Sequence, residues 1–439
     1  MNIILLSGGS GKRLWPLSNE VRSKQFIKIF RNTNGGYESM TQRMYKKIRS
    51  IDKSAKVTIA TSKSQISEIH NQLGENVSIS VEPCHRDTFP AIVLAASYLH
   101  EIEGISEKEP VVVCPVDPYV NDDYFESLER LSALAQIGNA NLTLLGIEPT
   151  YPSEKYGYII PAVRDEMSRV IAFKEKPDEK TAKEYLKKGA LWNGGIFAFQ
   201  LGYILRRAHE LLNFIDYADL LEKYDSLPKI SFDYAVVEKE KSINVLRFHG
   251  IWKDLGTWNT LSEAMDERII GKAIVDDTCK NTHVINNLDV PILVMGLKNA
   301  VVSASPDGIL VSDKHMSSYI KPYVAKIEQP VRYAEKSWGS FQVLDVESES
   351  MTIKVTLMPG HHMNYHSHEH RDEVWIIISG LGRTIVDGME QTVKTGDVIT
   401  MQAGCRHTVI ADTELQLIEV QMGKEISVRD KKKYRLGKY

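Results

Sequence analysis

"LLSGGSGKRLWPLS", Leu5 to Ser18, is the stretch on which the reading of the N-terminal part turns. An apolar run from Met1 to Leu6 ends in glycines. The cations Lys12 and Arg13 follow, then Leu14-Trp15-Pro16. Spacing excludes two standard phosphate loops. A Walker loop, G-x-x-x-x-G-K-[ST], ending on Gly11-Lys12 needs glycine and Ser/Thr where the chain has Leu6 and Arg13. A dinucleotide fingerprint, G-x-G-x-x-G, begun at Gly9 and Gly11 needs glycine where Leu14 stands. The physics of the stretch survives. Gly8, Gly9 and Gly11 let the main chain approach an anion, and free N–H groups in such a loop form a concave anion site. Lys12 and Arg13 add charge, and a guanidinium can grip phosphate oxygens bidentately. A plain strand-to-helix turn with two solvated cations is the competing reading. The buried-strand pattern ahead of the glycines favours phosphate, because ligands of open α/β sheets gather at the carboxyl ends of strands.

A length of 439 residues suggests two or three domains. Hydrophobic residues at 43% and charged residues at 25% belong to a globular chain, and a net charge of −3 gives no bulk attraction to nucleic acid or membrane. The basic tail "RDKKKYRLGKY" reads as a solvated end. No apolar run reaches transmembrane length, and the N-terminus lacks the charged region of a signal peptide. Cys84, Cys114, Cys279 and Cys405 form no CxxC pair, which fits a reduced, cytoplasmic setting.

Up to about residue 265 the chain alternates. "NIILLS", "KVTIAT", "SISVEP", "PVVVCPVD" and "LTLLGIEP" are β-rich, with helical patterns such as "TFPAIVLAASYLHEIE" and "DDYFESLERLSALAQIG" between them. That alternation indicates βαβ units and a largely parallel sheet. From about 268 to 325 short strands and Asn/Asp/Gly turns suggest a small all-β connector, solenoid-like or a meander, without a clean repeat. From about 330 to 425, "MTIKVTLMPG", "VWIIISGLGRTIVDG" and "LQLIEVQ" give the alternation of an antiparallel barrel or sandwich.

Four further stretches carry chemistry in the first part. "RSKQF" supplies Lys24. "VCPVDP" ends an apolar strand at Asp117. "FKEKPD" places Glu175 and Lys176 after another strand. "WKDLGTWNTL" sets Asp254 before a glycine and a helix. Each alone is bland: a turn or cap aspartate, a solvated strand edge. Together they fit nucleotidyl transfer, which needs a cationic cradle for phosphates and hard-cation ligands, with little covalent work for the protein. Mg²⁺ prefers one or two carboxylates plus phosphate oxygens, and Asp117 and Asp254 are the two chosen.

The segments "GGSGKRLWPLS", "SKQF", "VEPCHRDTFPAIVLAA", "VCPVDPYV", "YGYI", "FKEKPD", "LWNGGIFAF", "FDYAVVEK" and "WKDLGTW" follow one another over residues 1–260. In this order they resemble the mannose-1-phosphate guanylyltransferases, within the sugar-phosphate nucleotidyltransferases. The resemblance implies a Rossmann-like mixed α/β sheet, and in-line attack of a sugar 1-phosphate on the α-phosphate of an NTP, with Mg²⁺ and release of pyrophosphate. It implies that Leu6, Gly8, Gly9, Ser10, Gly11, Lys12 and Arg13 hold the nucleotide phosphates and that Lys24 lies near the reacting groups. Asp117 and Asp254 would hold Mg²⁺. Glu82, Pro83, Arg86 and Thr88 would contribute to the base pocket. Gly157, Glu175 and Asn193 would read the sugar, with Lys176 on its phosphate. The chain departs from the usual pattern at Ser23 (usually Pro), at Asp87 (usually Asn) and at Pro118 (usually His). GTP and mannose 1-phosphate, giving GDP-mannose, are the expected substrates. A relative using another base or sugar, and a non-catalytic sugar-nucleotide sensor, are the alternatives.

In the last part, "PGHHMNYHSHEHRDEVWIIISG" spaces Gly360, His366, His368, Glu373 and Gly380, and "GDVITMQAGCRH" adds His407. This resembles a cupin barrel. His366 and His368 alternate by two along a strand, so both can point inward. Three imidazoles and a carboxylate suit Zn²⁺ or another divalent transition metal without choosing among them. "EKSWGSF" and "IEVQMG" resemble mannose-6-phosphate isomerase modules. Those usually carry Gln at the position of His366, His at that of Val374, and a Tyr-Gly-Arg ending where this chain has Tyr434-Arg435-Leu436. A bifunctional enzyme is therefore a further alternative. Isomerisation also needs a base, for which Glu369, His370 and Arg371 are the candidates. The expected divisions are 1–267 (nucleotidyltransferase), 268–327 (β-rich connector) and 328–439 (cupin barrel). Small-molecule substrates and a homodimer are the expected partners, with no nucleic acid and no membrane.

Overall fold

The computed structural model describes residues 1–9, 12–19, 21–424, 426–427 and 430–435, apart from the side chain of Lys12. The chain forms two compact units. One comprises residues 1–10, 24–66 and 76–266; the other comprises 11–23, 67–75 and 267–439.

In the first unit the apolar runs become the centre of a nine-stranded sheet. Asn2–Ser7 lies parallel between Lys56–Ser62 and Pro110–Pro115, and Ser78–Glu82 adds to the outer side of Lys56–Ser62. A strand buried on both faces reads as an unbroken apolar run, and Ile3, Ile4 and Leu5 are fully buried. Beyond Pro110–Pro115 the sheet turns mixed, because Leu191–Gln200 pairs antiparallel with both Pro110–Pro115 and Leu142–Ile147. Its register with Leu142–Ile147 slips between Asn193 and Phe197, at Gly194 and Gly195, and the Leu191–Asn193 end pairs with Gly157–Ile159 as well. Helix Thr88–Ser97 is buried all round from Phe89 to Ser97, which accounts for an apolar pattern without a polar face. No described helix is long and apolar enough to cross a membrane.

In the second unit the connector is a coil of short parallel strands. Ile269 lies beside Val284, His283 beside Val301, and Ala273 beside Ile292. The chain thus returns after roughly 15 to 19 residues, as in a solenoid, with turns too unequal to leave a repeat in the sequence. The last strand, Gly308–Asp313, runs antiparallel to Ala300–Ser305. Segment 11–23 belongs to this unit: Ser305 Oγ donates to Pro16 O (2.6 Å), and Asn19 Nδ2 donates to Asp307 (2.8 Å).

The barrel consists of a six-stranded and a five-stranded sheet. Trp375, Ile377, Val393, Val409, Leu415 and Leu417 pack between them. His366–Ser367 pairs with His407–Ala411 on one side and with Lys432–Lys433, from the C-terminal segment, on the other. The basic tail expected to be a solvated end is therefore, through Lys433, part of the barrel wall.

Candidate functional site

The strand Asn2–Ser7 ends at Gly8 and Gly9, and Gly9 takes a φ of +109°, which an L side chain rarely adopts. Ser10, Gly11 and the Lys12 side chain lie outside the described residues. Leu6 passes its carbonyl to Val116 N (3.0 Å), tying the strand end to the chain entering Asp117. Under the glycines is a buried amide and hydroxyl network. Gln25 Nε2 donates to Ser7 Oγ (3.2 Å) and Gln65 Oε1 (3.3 Å), and Thr61 Oγ1 donates to the same Gln65 oxygen (2.7 Å). The network fixes the single helical turn Lys24–Phe26.

Lys24 Nζ then sits 2.6 Å from Asp117 Oδ2 and 3.6 Å from Asp254 Oδ1. The two acids meet because Trp252–Asp254 pairs antiparallel with Pro118–Val120, which sets Asp254 across from Pro118. Both carboxylates are part-exposed and share one ammonium, so the trio keeps a net negative charge open to solvent. Arg13 lies in the turn Lys12–Leu14, is exposed, and belongs to the second unit.

A second group gathers around Gly157. Asn193 is its cross-strand partner, and a Cβ at Gly157 would come within 2.5 Å of Glu175 Oε2. That oxygen is buried without a hydrogen bond, an acceptor awaiting a donor. Lys176, at the uncommon φ of +44°, pairs with the other Glu175 oxygen at 2.5 Å. Asn193 Nδ2 donates to Asp233 Oδ1 (2.6 Å). Burial, and then the charge of Glu175, push the Asp233 carboxyl up to about 7. The sequence reading missed Asp233, although "FDYAVVEK" was among the quoted segments. Aromatic rings fill the neighbourhood: Tyr156 lies 4.9 Å from Trp192 and 5.5 Å from Trp252, two residues before Asp254.

Glu82, Arg86 and Thr88 turn towards a different stretch of the same unit, Tyr224–Phe232. Glu82 accepts from Tyr224 Oη (2.9 Å), Arg86 Nη2 donates to Asp225 O, and Thr88 Oγ1 accepts from Phe232 N (2.8 Å). Burial raises the Glu82 carboxyl above its ordinary range. Pro83 follows at the end of Ser78–Glu82.

In the barrel, His366, His368, Glu373 and His407 are all buried, and their ligand atoms lie within 4.8 Å of one another. The main chain sets one tautomer for all three rings. A carbonyl can only accept, so Nδ1–H donates from His366 to Asn364 O (2.6 Å), from His368 to Asp430 O (2.6 Å) and from His407 to Cys405 O (3.0 Å). Every Nε2 is left as a lone pair. His407 Nε2 faces Glu373 Oε2 at 3.2 Å, and both are buried without a hydrogen bond. Two acceptors at that distance need a cation between them, so this donor set fits a divalent transition metal. Burial, and then Lys431, drive His366 down to about 2, and it stays neutral. Of the candidate bases, Glu369 and His370 are exposed, with their N–H groups on the Asp430 carboxylate at 2.9 and 3.3 Å. Arg371 reaches the cluster: its Nη2 donates to His368 Nε2 (3.1 Å) and its Nε to Glu373 Oε1 (3.3 Å).

Comparison with known proteins agrees with both halves. Residues 2–269 match the nucleotidyl transferase family model, and residues 326–435 match that of the mannose-6-phosphate isomerase C-terminal domain. The xanthan biosynthesis protein XanB of Xanthomonas campestris pv. campestris is 30% identical over 97% of this chain and 96% of its own length. The mannose-1-phosphate guanylyltransferase of Escherichia coli (strain K12) is 26% identical over 97% and 96%. A crystal structure described as mannose-1-phosphate geranyltransferase from Thermus thermophilus is 28% identical, with a TM-score of 0.60 over 74% of this chain and 98% of that one. The chain therefore belongs to the nucleotidyl transferase family and carries a mannose-6-phosphate isomerase C-terminal domain on the same polypeptide.

Proposed function

We propose that this nucleotidyltransferase makes GDP-mannose from GTP and mannose 1-phosphate. The observation that carries the reading is the Lys24 ammonium between Asp117 and Asp254. Two carboxylates over-compensate one ammonium, so a divalent cation with bound phosphates is a favourable addition. Mg²⁺ held by Asp117 and Asp254 would neutralise triphosphate charge. Lys24 offsets the charge that builds as the sugar-phosphate oxygen attacks the α-phosphorus in line and pyrophosphate departs. The Gly8 and Gly9 backbone meets the triphosphate, and Lys176 binds the phosphate of the sugar. The unpaired Glu175 oxygen accepts from a sugar hydroxyl, with Asn193 and the Gly157 backbone completing the fit. The test is pyrophosphate release from the protein with mannose 1-phosphate, Mg²⁺ and each NTP in turn. Release with GTP supports the reading. Release only with CTP or UTP removes guanine from it, and no release with any NTP removes the transferase.

A second activity is favoured by the facing acceptors His407 Nε2 and Glu373 Oε2. A divalent metal held there by His366, His368, Glu373 and His407 would polarise the carbonyl of a sugar. On this reading the barrel interconverts fructose 6-phosphate and mannose 6-phosphate, measured by following one from the other.

A further inference from the structure

The barrel holds a second buried acid outside the four-residue cluster. Along strand Leu415–Gly423 the inward positions are Leu415, Leu417, Glu419 and Gln421, at 0, 0, 5 and 5% exposure. The neighbouring strand Arg371–Ser379 shows the reverse series, Arg371, Glu373, Trp375 and Ile377. The register sets Gln421 opposite Glu373 and Glu419 opposite Trp375. Both strands thus change from apolar to polar along their inward faces, Leu415–Gly423 one inward position before its neighbour, towards the end where the histidines converge. Burying a carboxyl is costly unless something recovers the cost. Packing gives no reason for acid at 419, since Leu415 and Leu417 fill the preceding inward positions of that strand. Gln421 Nε2 donates to Glu419 Oε1, which orients the carboxyl beside the cluster without making it a ligand.

We propose that Glu419 is the acid–base residue of the barrel, carrying a proton between adjacent carbons of a phosphorylated sugar. The proposal rests on the isomerase reading. In the aldose-to-ketose direction the Glu419 carboxylate takes the C2 proton, and that C–H pair becomes the C1–C2 double bond. The carbonyl pair moves to O1, which takes up a proton. The O2 proton then leaves, C2–O2 becomes the carbonyl, and Glu419 returns its proton to C1. C2 is oxidised, C1 is reduced, and no outside reductant enters. Burial, and then the charge of Glu373, hold the Glu419 carboxyl above the ordinary range. Lys431, half-buried, supplies a cation that feels the charges of both Glu419 and Glu373. The rival bases fare worse: Glu369 and His370 face solvent, and a guanidinium such as Arg371 does not give up its proton.

The test uses the full-length protein loaded with Zn²⁺ or Co²⁺. Glu419→Gln should lower kcat for fructose 6-phosphate at least about 100-fold, with KM within about threefold. It should also stop loss of deuterium from [2-²H]mannose 6-phosphate to water. Metal content, metal affinity by calorimetry and GTP-dependent pyrophosphate release should match wild type. Should Glu419→Gln lose its metal, Glu419→Asp decides instead: a displaced ascending limb in kcat against pH supports the role, and an unmoved limb overturns it. Wild-type turnover or deuterium loss by Glu419→Gln overturns the role while leaving the isomerase intact. Absence of isomerisation in the wild type overturns the isomerase reading itself, and the role with it.

Discussion

Asp254 reaches Lys24 through a three-residue strand, so its carboxylate answers to backbone pairing with Pro118–Val120. Asp254→Asn keeps that pairing and removes the charge. It should cut pyrophosphate release at least about 1,000-fold with an unchanged circular dichroism spectrum, and retention of a tenth of the rate would remove Asp254 from the site. At Gly157, alanine would drive a methyl against Glu175 Oε2. Gly157→Ala should raise the KM for mannose 1-phosphate about tenfold or more, with the KM for GTP little changed. Asp233 gives a pH signature. In the fold it keeps its proton to about 7, whereas its ordinary value is 3.8. The unfolded chain therefore releases that proton first, and stability is lost as pH rises through this window, by at most about 4 kcal/mol. Asp233→Asn escapes the loss. Relative to wild type it should gain about 2 kcal/mol or more in urea unfolding between pH 5 and pH 8. Asp117 and Asp254 stood out in the sequence because each follows a recognisable run and precedes a turn. Asp233 did not, because its protonation depends on burial and then on the charge of Glu175, which only the fold brings about.

At the scale of elements, hydrophobic runs translated directly into strands. Asn2–Ser7 and Pro110–Pro115 are buried on both faces, as short apolar runs bounded by turn residues require. The period of two along "HSH" also turned His366 and His368 to the same side. The same parity argument applied to "LQLIEVQ" would have put Glu419 inside with Leu415 and Leu417. It was passed over because an acid in an alternating strand ordinarily marks the wet face. Segment Asp430–Tyr434 was misread from composition alone. Its lysines suggested solvent, yet its backbone pairs with His366–Ser367 and Asp430 O orients His368. Asp430→Ala removes the carboxylate that holds Glu369 N and His370 N, loosening the carbonyl that sets the His368 tautomer. Metal affinity measured by competition with a chelating dye should fall about tenfold, the usual cost of losing such outer support.

For the whole molecule, the two proposed chemistries call for different ions, and removal of metal should separate them. Dialysis against EDTA, followed by Mg²⁺ alone, should restore pyrophosphate release but not isomerisation. A metal present at 100 times its dissociation constant stabilises its fold by about 2.7 kcal/mol. Scanning calorimetry should therefore show the barrel unfolding roughly 5 °C or more lower after EDTA. What no reading of the sequence could supply is which distant segments share a unit. Membership of 11–23 with the connector depends on bonds such as Ser305 Oγ to Pro16 O, made across hundreds of intervening residues. The connector also limits how such a chain can be elaborated. A coil of parallel rungs grows by duplicating a rung, but the hairpin into Gly308–Asp313 reverses the direction of travel. Tandem duplication before residue 300 would extend the coil and preserve its path, whereas the same insertion after the reversal would find no rung to copy.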